Sequence, residues 1–504
     1  MENNMVFRTR SGSYLYSIAE KHLFTISPVM EKILSLGDEK IEKMEEAEIV
    51  SKLQKMNDGK ASVELYEHYL HKYRMLKNSG YFKELDARQY LAARVSPEII
   101  ERNLANTRQV VFEVTQECNL ACRYCTFGEN YDNHEMRNHK SMKIETVATF
   151  IDYMLTLKNM HNSSHCSYFD VGFYGGEPLL NFALIEESVG YLKNLGVTDR
   201  NIGFSMTTNG LLIKEHIDFL VRQDFHLFVS IDGDRECNGL RLQKNGQPSF
   251  EIVFENLKFI KNQYPEYFKR NVNFAVVSNC KNTLERIYDF FKEEFDKTFH
   301  ISEINKLGFN VDHLEKYHEM YKSVSQQIID LKDRRKDILD DMYEKLPEGS
   351  QLLYFCNHSL FNFFRDYYSL LYPYWGNRLP SSTCIPFSKK VYITSLGSIL
   401  QCERIGHSPV LGKVTTKGVN IDFQQIADKF NAFADEIIEL CTTCYNHRSC
   451  MQCGFYIEKE NGGFKCPKFK TKEAYRLELR KRITELEHNP GSYKKIIKEL
   501  DLVW

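Results

Sequence analysis

Three cysteines stand close together at Cys118, Cys122 and Cys125, in the spacing Cys-x3-Cys-x2-Cys. They follow Val110-Val111-Phe112-Glu113-Val114-Thr115, a short apolar and β-branched run that reads as a buried strand. Three thiolates on one loop can hold three irons of a [4Fe-4S] cluster and leave the fourth open to another ligand. A zinc site is the alternative, with its fourth ligand from His134 or His139. A second group of seven cysteines comprises Cys384, Cys402, the run Cys441-x2-Cys444-x5-Cys450-x2-Cys453, and Cys466. Its two Cys-x2-Cys pairs are five residues apart, whereas zinc-ribbon knuckles are usually separated by about 15 to 20. That is too tight for two knuckles clasping one ion. The other four cysteines, Cys166, Cys237, Cys280 and Cys356, are isolated, and an isolated cysteine packs as a small hydrophobe.

The elements that must position these groups are legible in outline. Residues 105–320 alternate strand and helix. Candidate strands are Val110–Thr115, Tyr168–Phe173, Ile202–Thr207, His226–Ile231 and Val272–Val277. Between them lie helical periodicities over Ile144–Leu157, Ala183–Leu195, Ile213–Arg222, Phe250–Gln263 and Thr283–Phe295. Such alternation implies right-handed crossovers and a parallel sheet. Five or six repeats predict a partial (β/α)6 barrel rather than a closed eight-fold one, with chemistry at the carboxyl ends of the strands. Residues 1–95 read as two or three short strands around Ser11-Gly12-Ser13, then about three helices, the first starting at Ser27-Pro28. This is a winged-helix-like module. Residues 321–349 read as a charged helical linker, 350–470 as a loop-rich, cysteine-rich domain, and 471–504 as a polar helical tail.

The chain has 504 residues, 42% hydrophobic and 27% charged, a length that suggests about three globular domains. Its 66 basic and 68 acidic residues give a net charge of -2, with no electrostatic footprint for duplex nucleic acid. Met1–Tyr16 contain no apolar signal core. No stretch approaches about 18 apolar residues, so no membrane span is expected. The expected location is the cytoplasm, where cysteines are more often ligands or core residues than disulfides.

The cluster loop, with Tyr124 inside it, resembles the signature of radical S-adenosylmethionine (SAM) enzymes. Companion motifs follow at successive predicted strand ends: Gly175-Gly176-Glu177-Pro178, Thr207-Thr208-Asn209-Gly210, and Ser230-Ile231-Asp232-Gly233 followed by Arg241. The resemblance implies that Gly175 to Pro178 bind the SAM amino group, through an exposed backbone and a carboxylate facing an ammonium. It implies that Thr208 and Asn209 contact the ribose, and that Ser230 and Arg241 lie near the ribose and carboxylate. In this superfamily the cluster cleaves SAM to a 5'-deoxyadenosyl radical that abstracts hydrogen from substrate.

The second cysteine group resembles the SPASM domain of radical SAM peptide maturases, which holds two auxiliary [4Fe-4S] clusters. The resemblance assigns Cys441, Cys444, Cys450 and Cys466 to an outer cluster and Cys384, Cys402 and Cys453 to an inner one. The spacing before Cys453 is one residue shorter than the family's usual. Lys390 stands where some family members carry an eighth cysteine, so the inner cluster has an open iron or takes Cys356 or His358. The assembly implies SAM and three clusters as cofactors. The implied partners are a precursor peptide whose leader binds the N-terminal module, and a reductant such as flavodoxin or ferredoxin. Tyr131, Arg137 and His139, with Tyr264-Pro265-Glu266-Tyr267, point toward maturases of cysteine-rich peptides. The expected reaction is thioether cross-linking. Carbon–carbon or ether (cyclophane-type) closure and sulfatase maturation are alternatives, and a scaffold that only binds leader is the non-enzymatic one.

Overall fold

The computed structural model describes residues 2–19, 21–56, 62–82, 84–132, 139–161, 169–195, 202–346, 379–381, 384–450, 452–460 and 462–488. Arg137, His134, Cys166, Tyr168, Cys356 and His358 lie outside the described residues. The chain divides into two compact units. One is built from Met1–Arg94, Gln351–Thr383 and Asn431–Trp504, the other from Val95–Ser350 and Cys384–Phe430. No described helix is long and apolar enough to cross a membrane.

The first unit opens with strands β1 (Asn4–Arg8), β2 (Ser13–Ser17) and β3 (Leu23–Ile26), an antiparallel sheet in chain order. Ser27 caps the next helix, Pro28–Leu36, by accepting from Met30 N at 3.1 Å, with proline at the first helical position. Val29, Met30, Ile33 and Leu36 bury one face of it against Leu53, Tyr66 and Leu70 of the helices Glu46–Lys55 and Val63–Asn78. The C-terminal helix Lys472–His488 is not merely a polar tail. It buries Tyr475, Leu479 and Ile483, and the Tyr16 and Tyr475 rings meet edge-on at 6.2 Å. Its Glu487 accepts from Thr9 at 2.7 Å and from Tyr14 at 2.5 Å.

The second unit is organised by six parallel strands in chain order: β4 (Gln109–Thr115), β5 (Phe169–Gly175), β6 (Ile202–Thr208), β7 (His226–Ser230), β8 (Val272–Ser278) and β9 (His300–Glu303). β8 shows the layering. Val272, Phe274, Val276 and Ser278 are buried, and the Phe274 ring packs against Phe291 and Phe295 of the helix Leu284–Phe295. Asn273, Ala275 and Val277 alternate onto the other face and are only partly covered. β9 escaped the sequence reading because it is four residues long, with His300, Ser302 and Glu303 polar and only Ile301 apolar.

The sheet continues beyond β4. β10 (Val391–Ile393) pairs parallel with β4, and β11 (Ser398–Leu400), β12 (Gly412–Thr415) and β13 (Gly418–Asn420) follow antiparallel, making ten strands. Residues 391–420, read from sequence as part of the cysteine-rich domain, therefore contribute four strands to this unit's sheet. Residues 321–346 also belong to this unit, with short helices Val324–Leu331 and Lys336–Asp341 in place of one linker helix. Gln327 ties them down, accepting from Leu284 N at 2.7 Å and donating to Ser278 Oγ at 2.9 Å.

Candidate functional site

Cys118, Cys122 and Cys125 follow β4, where parallel strands deliver their carboxyl ends. The loop is pinned by backbone bonds Ala121 N to Leu242 O (2.7 Å) and Arg123 N to Leu240 O (3.1 Å), so the stretch either side of Arg241 forms one wall. Leu120 N donates to Cys118 Sγ at 3.4 Å. The Cys122 thiol is pushed up to about 12, first by burial, then by Cys125 and Cys118, with Arg241 opposing. Without a metal the Cys122 thiol therefore keeps its proton, and bound iron would have to displace it, since the thiolate is the ligand. Among the described residues no three His, Cys, Asp or Glu side chains form a group that could hold a single metal ion. A four-iron cluster is larger than one ion and requires a wider spread of thiolates. The trio's chemistry fits it.

Gly175 and Gly176, at the end of β5, press against the base of this loop. Gly175 has φ +138, and a Cβ there would stand 2.2 Å from Thr115 O. A Cβ on Gly176 would stand 1.9 Å from Glu117 O. Only glycine allows this approach. It is closed by Gly176 N to Thr115 O (2.9 Å) and Glu177 N to Glu117 O (2.7 Å).

Glu177 is fully buried, and the structure puts its carboxylate to a use the sequence did not disclose. It accepts from Leu179 N (3.1 Å), Thr208 Oγ1 (2.7 Å) and Asn209 N (2.7 Å), stitching the end of β5 to the end of β6. Burial raises its carboxyl to about 7, against the lowering pull of those three donors. Asn209 Nδ2 reaches Asn119 Oδ1 at 2.7 Å and Cys118 Sγ at 3.8 Å, so its side chain braces the cluster loop. Pro178 begins a single 3-10 turn, and Ser230 closes β7 half-buried.

Arg241 is nearly buried. Its Nη1 lies 3.9 Å from Cys122 Sγ, its Nε 3.2 Å from Asp232 Oδ2, and its guanidinium 5.5 Å from the Tyr124 ring. The Tyr124 hydroxyl donates to Asp232, and burial with that carboxylate holds the phenol well above its ordinary range. Tyr131 is buried beside Tyr124. Its ring meets Phe309 at 4.9 Å and its hydroxyl donates to Asn305 O at 2.6 Å, contacts that lock packing. His139 is exposed, left-handed at φ 59, with Nδ1 3.2 Å from Glu117 Oε1. Tyr267 is buried and donates to Phe225 O at 2.7 Å, a core role.

In the first unit Cys441, Cys444, Cys450 and Cys466 line one small pocket with His447 and Leu91, and Cys453 is outside that lining. Burial, then Cys450, Cys444 and Cys466, push the Cys441 thiol to about 12. Lys470 N donates to Cys444 Sγ at 3.3 Å and Gln452 N to Cys450 Sγ at 3.4 Å. Four facing sulfurs with backbone donors suit an iron–sulfur cluster. In the second unit Gln401 Nε2 donates to Cys384 O at 2.8 Å, beside Cys402. Lys390 pairs with both oxygens of Glu403 at 2.9 Å.

Residues 112–302 match the radical SAM superfamily. An uncharacterized protein of Methanocaldococcus jannaschii is 32% identical over 215 residues, 40% of this chain and 70% of that one. A cysteine-type anaerobic sulfatase-maturating enzyme of Clostridium novyi is 28% identical over 185 residues, and the match spans 36% of this chain and only 46% of that one. A solved structure of native anSMEcpe with bound AdoMet and Cp18Cys peptide aligns with 79% of this chain and 99% of its own, at TM-score 0.48 and 18% identity. The chain belongs to the radical SAM superfamily and is an enzyme with that superfamily's α/β parallel-sheet core. Membership implies SAM and a [4Fe-4S] cluster as cofactors.

Proposed function

We propose that this enzyme matures a ribosomally made precursor peptide, closing a thioether from a peptide cysteine to an acceptor residue. Cys118, Cys122 and Cys125 would hold the SAM-binding cluster. Cys441, Cys444, Cys450 and Cys466 would hold an outer auxiliary cluster, and Cys384 and Cys402 would be ligands of an inner one. When bound, cluster and SAM supply a 5'-deoxyadenosyl radical that takes hydrogen from the peptide. The chain's own residues shape the place where this happens. The glycine backbone of Gly175 and Gly176 admits close approach, Glu177 fixes the turn that carries Asn209, and Arg241 sets a cation beside Cys122. Closure removes one hydrogen from the acceptor carbon and one from the thiol.

The observation that carries the peptide reading is the outer edge of β3. Among the described residues the sheet order leaves β3 at an edge, whereas the helix Lys472–His488 packs at β1. Ser17 N bonds to His22 O at 2.9 Å, so strand alternation directs the N–H groups of Phe24 and Ile26 to β2 and those of Leu23 and Thr25 outward. A leader peptide can add there as a fourth strand. The electron donor would be a flavodoxin- or ferredoxin-type protein.

A second reading, sulfatase maturation, is favoured by the named Clostridium relative. Anaerobic turnover separates the two. A cysteine-containing precursor encoded beside the gene should lose two hydrogens per cross-link and have its thiol blocked. Conversion of a sulfatase-derived cysteine to an aldehyde, with no change in the precursor, would overturn the thioether reading.

A further inference from the structure

Asp232 lies just past β7, and its carboxylate is fully buried. Oδ1 accepts from Val277 N at 3.0 Å. Oδ2 accepts from the Tyr124 hydroxyl and, at 3.4 Å, from Asn279 Nδ2. The backbone around it is also held: Asp232 N donates to Asn238 Oδ1 at 3.1 Å, and Asn282 Nδ2 donates to Asp232 O at 3.4 Å. A carboxylate gripped from β8, from the 279–282 turn and from its own loop cannot swing. Whatever it touches is fixed in turn.

It touches two side chains of the cluster loop's surroundings, Tyr124 and Arg241. Arg241 is 8% exposed, and a buried guanidinium requires a counter-charge. Asp232 Oδ2, 3.2 Å from Nε, supplies it. Nε is off the hydrogen-bond line, so the pair is held by charge and by the Tyr124 ring, 5.5 Å from the guanidinium. With the guanidinium held between Asp232 and the Tyr124 ring, Nη1 is aimed at Cys122 Sγ at 3.9 Å.

We propose that Asp232 is a positioning residue that locks the Arg241 guanidinium against the Cys122 sulfur, so that a buried cation and an N–H···S contact raise the reduction potential of the cluster this loop would hold. The inference rests on the reading of Cys118, Cys122 and Cys125 as cluster ligands. Cluster potentials respond to net charge and to hydrogen bonds on sulfur. The proposal fixes a sign that a bystander carboxylate would not give. Removing a negative charge near the cluster raises its potential by itself. Releasing Arg241 from Cys122 lowers it, and the positioning role requires that the lowering wins.

The test uses full-length protein reconstituted anaerobically with iron and sulfide. It is titrated with dithionite, one electron per cluster, and followed by electron paramagnetic resonance on the component whose spectrum SAM perturbs. Asp232→Asn and Arg241→Gln should each shift that component to more negative potential, by at least a tenfold change in the ratio of reduced to oxidised cluster, about 59 mV for one electron. The double variant should shift no further than Arg241→Gln alone. An unchanged or raised potential in Asp232→Asn overturns the proposal. If Asp232→Asn does not fold, Arg241→Lys decides: its single ammonium cannot serve both Asp232 and Cys122, so the same negative shift is expected, and no shift overturns the proposal. A wild-type chain that assembles no SAM-responsive cluster would instead refute the ligand reading beneath it.

Discussion

Gly176→Ala puts one methyl group at the point where β5 meets the cluster loop. The added Cβ would lie 1.9 Å from Glu117 O, 2.4 Å from its carbonyl carbon and 2.8 Å from Gln116 O. All three are backbone atoms, so no side chain can rotate away. The strand end must retreat by about an ångström, and that retreat breaks Glu177 N to Glu117 O and Gly176 N to Thr115 O. Overpacking costs about 1–3 kcal/mol, and two lost hydrogen bonds add about 1 kcal/mol each. The sum, about 3–5 kcal/mol, should lower the thermal midpoint of the apo unit by roughly 10 °C. Cys118 is the next residue after Glu117, so the displaced backbone also moves a ligand. Differential scanning calorimetry of the apo chain, with iron and SAM-binding assays after reconstitution, reads both effects. A variant with wild-type midpoint, iron content and SAM affinity would refute the claim that this glycine contact positions the loop.

Three further outcomes follow from the same geometry. Burial raises the Glu177 carboxyl to about 7 in the fold from an ordinary value of 4.5, so its contribution is present below about pH 4.5 and lost as pH rises through 7; Glu177→Gln should flatten the fall in apo melting temperature across that window, a difference of up to about 3 kcal/mol, and an unchanged pH profile would contradict the assignment. Thr25→Pro removes an outward N–H of β3 without touching its ladder to β2; calorimetric affinity for precursor should fall at least tenfold, with uncoupled SAM cleavage unaltered, and unchanged affinity would exclude that edge as the docking strand. Cys441→Ser should remove about four irons while leaving the SAM-perturbed resonance signal in place; loss of that signal would show that the cysteine groups are not separate sites.

The radical SAM core was legible because its signals are local. A β-branched strand, a turn and a ligand spacing each sit within about ten residues, and β4 to β8 lie close to where periodicity placed them. What was not legible depends on pairing across the chain. β10 joins β4 although nearly three hundred residues separate them, and nothing in Val391-Tyr392-Ile393 specifies that partner. Asp232 and Glu177 stood inside quoted motifs, yet their burial and partners come from β8 and β6, which spacing cannot reveal. Excising residues 1–95 would strip Tyr16 from Tyr475 and Ala19 O from Arg448, so the N-terminal sheet is better probed by point changes.

The central claim is that the two cysteine groups hold iron–sulfur clusters, one of them a SAM-cleaving centre. The most direct measurement is metal and sulfide content per chain after anaerobic reconstitution, with SAM cleavage measured on the same sample. The account predicts about twelve irons as three [4Fe-4S] clusters, falling by about four with loss of all SAM cleavage when Cys118, Cys122 and Cys125 are changed together to Ala. A chain that binds stoichiometric zinc and no iron would contradict it.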